Sequence, residues 1–111
     1  MEVVKTQEDG ITVLTPRGRV DSVTCKPFEQ HLMGCIDGGD RRVIVDFVEL
    51  DYISSAGLRV LLMGAKRQKA SGGRLLLCAM KDHIREVFDV SGFSSILEIK
   101  TDRAESVAAL S

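Results

Sequence analysis

An α/β fold is what this 111-residue sequence predicts: a mixed, mostly parallel sheet of about five strands, with an N-terminal hairpin and about four helices. Three observations carry the prediction. Short strand-like runs such as Val43–Phe47 and Arg74–Ala79 alternate with longer segments whose apolar residues recur at helical spacing. The second of these runs is nearly all apolar, as suits a strand covered on both faces. Near the N-terminus, two strand-like runs flank Glu8-Asp9-Gly10, a turn with hairpin chemistry. Strands alternating with helices join by right-handed crossovers into a parallel sheet, and the hairpin adds an antiparallel strand.

Taken in order, Val3-Val4 and Ile11, Val13 and Leu14 form the hairpin strands, and Pro16-Arg17-Gly18 ends the second. Arg19-Val20-Asp21-Ser22 is expected as a loop. A first helix is predicted over roughly Val23 to Ile36, with Ser22 or Thr24 as N-cap and Cys25, Phe28, Leu32, Cys35 and Ile36 as its core stripe. Gly38-Gly39-Asp40 stops it. After the β-branched strand Val43–Phe47, residues Glu49 to Ile53 are expected as a loop. A second helix begins at Ser54-Ser55 and runs to about Ala70, with Leu58, Leu61, Leu62 and Ala65 facing the core. Arg74 to Ala79 is the next strand. Lys81-Asp82 opens a third helix through about Val90 that buries Ile84, Val87 and Phe88. Ile96 to Ile99 is the last strand, and Thr101-Asp102 caps a final helix containing Ala104, Val107 and Ala108. Without repeats or linkers, residues 1–111 are expected as a single domain.

Composition narrows the function classes. A net charge of −1 without a basic stripe argues against a nucleic-acid partner. Three cysteines (Cys25, Cys35, Cys78) with no paired spacing argue against a disulfide framework and a zinc site. No apolar run spans a bilayer and no signal peptide opens the chain, so no membrane partner is expected and the cytoplasm is the expected compartment. His31 and His83 belong to no ligand or catalytic cluster, and each reads as a surface or boundary residue. There is no phosphate loop, dinucleotide fingerprint or nucleophile elbow. Asp46 and Asp51 form a conceivable acid/base pair but read more simply as residues at the end of a strand. The expectation is a protein that is not an enzyme and uses no cofactor.

The informative feature is Ser54-Ser55. It follows the carboxyl end of a predicted strand, the edge where open α/β sheets bind ligands and partners. Ser54 can cap the second helix, which places Ser55 in its first turn, and Gly57 leaves the backbone accessible there. A helix N-terminus carries unpaired N–H groups and partial positive charge, so a phosphate is tolerated at that place. From the residues alone, a plain cap and a modified site both remain open.

The run Asp46-Phe47-Val48-Glu49-Leu50-Asp51-Tyr52-Ile53-Ser54-Ser55-Ala56-Gly57-Leu58 resembles the signature of the STAS domain, in particular that of bacterial anti-sigma factor antagonists. Gly18-Arg19-Val20-Asp21 is similar to the Gly-x-hydrophobic-Asp of that family, and the element order agrees over essentially the whole chain. The resemblance implies a binding module that an anti-sigma factor serine kinase phosphorylates. Phosphorylation blocks binding and a PP2C-type serine phosphatase resets it. It implies Ser55 as the acceptor, Ser54 as second choice, and Asp21, Ala56, Gly57 and Leu58 as the surroundings. Two positions depart from the family pattern: Ser54 stands where relatives keep an Asp, and Ala56 cannot accept phosphate. Arg59, one turn after Ser55, is expected to reach a phosphate or a partner acid. Val60, Met63 and Arg67, off the core stripe of the second helix, are expected to form a partner-binding face. The alternative reading is a STAS binding or scaffold module that is not phosphorylated.

Overall fold

A computed structural model describes all 111 residues. The chain runs β1 (Val3–Glu8), β2 (Ile11–Pro16), β3 (Gly18–Val20), α1 (Cys25–Asp37), β4 (Arg42–Asp46), β5 (Leu50–Ile53), α2 (Ser55–Ala70), β6 (Arg74–Cys78), α3 (Asp82–Ser91), a single 3-10 turn (Phe93–Ser95), β7 (Glu98–Lys100) and α4 (Arg103–Leu110). Five strands form one sheet in the order β1-β2-β4-β6-β7, and β3 pairs with β5 in a small second sheet. Only the β1–β2 hairpin is antiparallel; β2–β4, β4–β6 and β6–β7 are all parallel. The expected mixed, mostly parallel sheet with its N-terminal hairpin is therefore present. Asp9 and Gly10 both take positive φ, 52° and 76°. A two-residue turn of that hand matches the twist of the strands it joins.

Strand alternation explains why β4 and β6 read as unbroken apolar runs. Val43, Val45, Leu75 and Leu77 point into the larger core, beneath α1, α2 and α3. Ile44, Leu76 and Cys78 point to the other face, where Val107 and Leu110 of α4 cover them. With both faces covered, no polar residue is required on either.

The structure corrects several expectations. Gly18, expected to end the second strand, and Arg19 and Val20, expected in a loop, form β3, and Leu50–Ile53, also expected in a loop, form β5. Both are too short to show an alternating pattern, and they pair only with each other. Val60 is not an exposed contact residue: it is 3% exposed and part of the main core. It shares a helix face with Gly64, where an added Cβ would lie 2.8 Å from Leu32 Cδ2 of α1. α2 is thus buried on two sides, against the sheet and against α1, so a residue off the first stripe lies on the second. Val87, expected in the core, is exposed; α3 buries only Ile84 and Phe88. Cys25, at the first residue of α1, is half-buried while Cys35 and Cys78 are buried. No helix is long and apolar enough to cross a membrane.

Candidate functional site

The small sheet builds the site. β3 and β5 run parallel, with Val20 opposite Ile53. Both strands stop there, so Asp21 and Ser54 leave the sheet side by side, and the Ser54 N–H donates to the Val20 carbonyl at 2.8 Å.

The two serines then diverge. Ser54 keeps an extended backbone (φ −87°, ψ 170°) and its Oγ accepts from the Gly57 N–H at 3.3 Å. Its carbonyl accepts from Leu58 N–H at 3.1 Å. The first bond satisfies an N–H that a helix start otherwise leaves open, and the second is the first regular bond of the helix. Ser54 is half-buried, whereas Ser55, the first helical residue, is exposed and its hydroxyl is free of hydrogen bonds within the chain. Leu58 anchors the first turn in the core. Gly57, expected to leave the backbone accessible, is instead buried, with a Cβ position 2.7 Å from Ile53 Cγ1 and 2.8 Å from Val20 Cγ1. The turn carrying Ser55 can lie this close to β3 and β5 only because residue 57 has no side chain. Ala56 is half-buried beside it.

Asp21 serves its own side of the junction. One carboxylate oxygen accepts from the N–H groups of Val23 (3.0 Å) and Thr24 (3.1 Å), and the other lies 3.6 Å from Arg19 Nε. These donors, Thr24 first, hold its carboxyl below the usual carboxylate range. Thr24 Oγ1 accepts from Asp21 N–H and donates to the Arg19 carbonyl at 2.7 Å. The Arg19 guanidinium lies over the Tyr52 ring at 4.3 Å from its centre. Asp21 therefore fixes the end of β3 and the start of α1 next to the serine, its carboxylate turned to its own helix.

On the far side of Ser55 a shallow groove of about 400 Å³ lies between α2 and α3, lined by Ser55, Leu58, His83, Glu86, Val87 and Val90 among others. Val90 is 82% exposed. His83 Nε2 is 2.6 Å from the Asp51 carbonyl oxygen. The Asp51 carboxylate pairs with Lys81, which lowers its pKa. None of the α3 residues was singled out from the sequence as functional. The signal available was Val90, an apolar residue off the Ile84–Phe88 stripe.

Of the other residues expected to meet a partner, Arg59 and Met63 are exposed on α2. Arg67 is exposed too, but its guanidinium is held by Asp37 of α1 at 3.1 Å. Asp46 and Asp51 do not form an acid/base pair. Asp46 is buried, accepts from the Val48 N–H and binds Arg103 of α4 at 3.0 Å, while Asp51 is at the surface. No cluster of three or more metal-ligating side chains occurs.

The STAS domain family matches residues 2–106. Among curated proteins, the chain is 42% identical over 109 residues to BtrV of Bordetella bronchiseptica, assigned as an anti-sigma factor antagonist; the match covers 98% of this chain and 94% of that protein. An anti-sigma-B factor antagonist of Listeria monocytogenes is 31% identical over 61 residues, about half of each chain. Among solved structures, an anti-sigma factor antagonist from Thermotoga maritima superposes with a TM-score of 0.91 at 16% identity, covering 97% and 93% of the two chains. The phosphorylated form of the Bacillus cell-fate determinant SpoIIAA superposes at 0.74 with 20% identity, covering 99% of this chain and all of that one. At these identities the structural likenesses show the fold.

Proposed function

The chain belongs to the STAS domain family, and from that membership we propose that it is an anti-sigma factor antagonist that works by partner switching. In this reading the unphosphorylated form binds an anti-sigma factor that is also a serine kinase. The kinase phosphorylates Ser55, binding is lost, and a PP2C-type phosphatase restores it. The name of the 42%-identical BtrV supports the antagonist role. The existence of SpoIIAA in unphosphorylated and phosphorylated forms supports the switch.

The observation that carries the choice of residue is the unequal position of the two serines. The Ser54 hydroxyl is occupied as the cap of α2, while the Ser55 hydroxyl is exposed and free. A phosphate on Ser55 adds roughly −1.5 to −2 charges near neutral pH. At the first turn of a helix that charge is tolerated by the fold, so the folded domain persists and only its surface changes. A partner that must desolvate this surface then loses affinity by repulsion and by the cost of dehydrating the phosphate. Arg59 and Met63 on α2 form part of the contact, and the structure removes Val60 from it.

The test is incubation of the chain with its cognate kinase and ATP, with the phosphate located by mass spectrometry. Phosphate on Ser55, lost in Ser55→Ala, is the expected result. Uptake that persists in Ser55→Ala and disappears in Ser54→Ala would reassign the acceptor, and no uptake at all would favour an unphosphorylated binding module.

A further inference from the structure

We propose that His83 is the phosphate-binding side chain of this site: once Ser55 carries a phosphate, His83 takes up a proton at Nδ1 and holds that phosphate. The inference rests on the reading of Ser55 given above. Ser55 and His83 line the same open groove between α2 and α3, where a phosphoryl group has room. His83 Nε2 lies 2.6 Å from the Asp51 carbonyl oxygen. A carbonyl only accepts, so Nε2 carries the hydrogen, and Nδ1 is the unprotonated nitrogen of the neutral ring. A second proton goes to Nδ1 and adds a donor there without breaking the bond to Asp51.

The charged groups around the ring leave that position open. On β5, the Asp51 carboxylate is taken by Lys81, the residue before α3. On β3, Arg19 is held by Asp21 and Tyr52. On α3 itself, Asp82 adjoins His83 in sequence and Glu86 lines the groove. On α2, Arg59 follows Ser55 by one turn and is in no ion pair. Glu86 repels a phosphate in this groove, and protonated His83 is the cation lining the same space. Leu58, Val87 and Val90 line the rest of the groove and offer a phosphate no competing polar partner.

The experiment uses the whole chain with phosphoserine installed at position 55 during synthesis, and an NMR titration of its two histidines. His31, exposed on α1, is the internal reference. The His83 midpoint should rise by about one unit or more on phosphorylation, the size expected for a contacting opposite charge. The rise should survive about 0.5 M salt, where remote surface charges are screened. The second phosphate ionisation, followed by phosphorus NMR, should fall in the native chain relative to His83→Gln, because the coupling is reciprocal. A His83 midpoint that moves no more than that of His31, or a rise that collapses in salt, overturns the proposal. The phosphate here is installed without a kinase. A negative result therefore leaves the kinase reading standing, and failure of a kinase to phosphorylate Ser55 leaves this measurement intact.

Discussion

Replacing Ser54 and Ser55 by alanine, one at a time, should separate fold from switch. Ser54 caps α2 through a bond of 3.3 Å to Gly57 N–H. Removing such a cap costs about 0.5–2 kcal/mol in general. The bond is longer than the common N–H···O distance, which puts Ser54→Ala in the lower half of that range, about 0.5–1 kcal/mol. For a domain of this size the melting temperature should then fall by ~2–4 °C. Ser55 gives its hydroxyl to nothing in the fold, and alanine is the better helix former by a few tenths of a kcal/mol. Ser55→Ala should therefore melt where the native chain does, or slightly above. Phosphate uptake should show the reverse pattern, absent in Ser55→Ala and retained in Ser54→Ala. Thermal melts by circular dichroism, paired with phosphorylation of the same samples, read both quantities. A Ser55→Ala protein that loses as much stability as Ser54→Ala would refute the assignment of roles.

Further outcomes follow from the same structure. In Gly57→Ala the new Cβ meets Ile53 and Val20 at 2.7 and 2.8 Å, an overpacking cost of about 2–3 kcal/mol that exceeds the roughly 1 kcal/mol gained in helix propensity, so the variant should be destabilised by about 1–2 kcal/mol. Gly34→Ala, exposed in α1 with open space around the added Cβ, should stabilise by roughly 0.5–1 kcal/mol; urea unfolding of the two variants should move in opposite directions. The depressed ionisation of Asp21 stabilises the fold above its unfolded value of about 3.9, and that contribution is lost as pH falls through the lower folded value. Asp21→Asn should accordingly lose less stability than the native chain between neutral pH and pH 3, measured by denaturation midpoints; an unchanged difference would contradict the role given to its carboxylate. Burial raises all three thiols and pushes Cys78 up to about 11. Iodoacetamide on the native protein should thus label half-buried Cys25 before Cys78, as read by peptide mass spectrometry.

Much of the fold is legible in local sequence. The hairpin turn is spelled by Asp9-Gly10, and the buried strands β4 and β6 are runs that only a two-sided sheet accommodates. The short pair β3–β5 is not legible. Leu50–Ile53 buries its ends and exposes Asp51 and Tyr52 between them, a pattern of neither strand nor helix period. Its partner Gly18–Val20 is three residues long, so pairing arises from tertiary placement alone. The serine pair could be read because its cap chemistry is local. The groove beside it has only Val90, off the Ile84–Phe88 stripe, as a local sign, since its formation needs α3 to lie across the end of β5 and no pattern in residues 82–91 specifies that neighbour. Val60 misled for a related reason. A single helical stripe assumes one buried face, and the mid-helix Gly64, which admits Leu32 of α1, was the residue that signalled a second.

In the proposed switch, a phosphate on Ser55 controls partner binding. This control is tested most directly by calorimetric titration of the cognate anti-sigma factor kinase with the chain, unphosphorylated and phosphorylated at Ser55. Saturable binding by the first form is expected, with affinity at least about tenfold weaker for the second, a difference of about 1.4 kcal/mol. Equal affinities for the two forms would contradict the proposed switch.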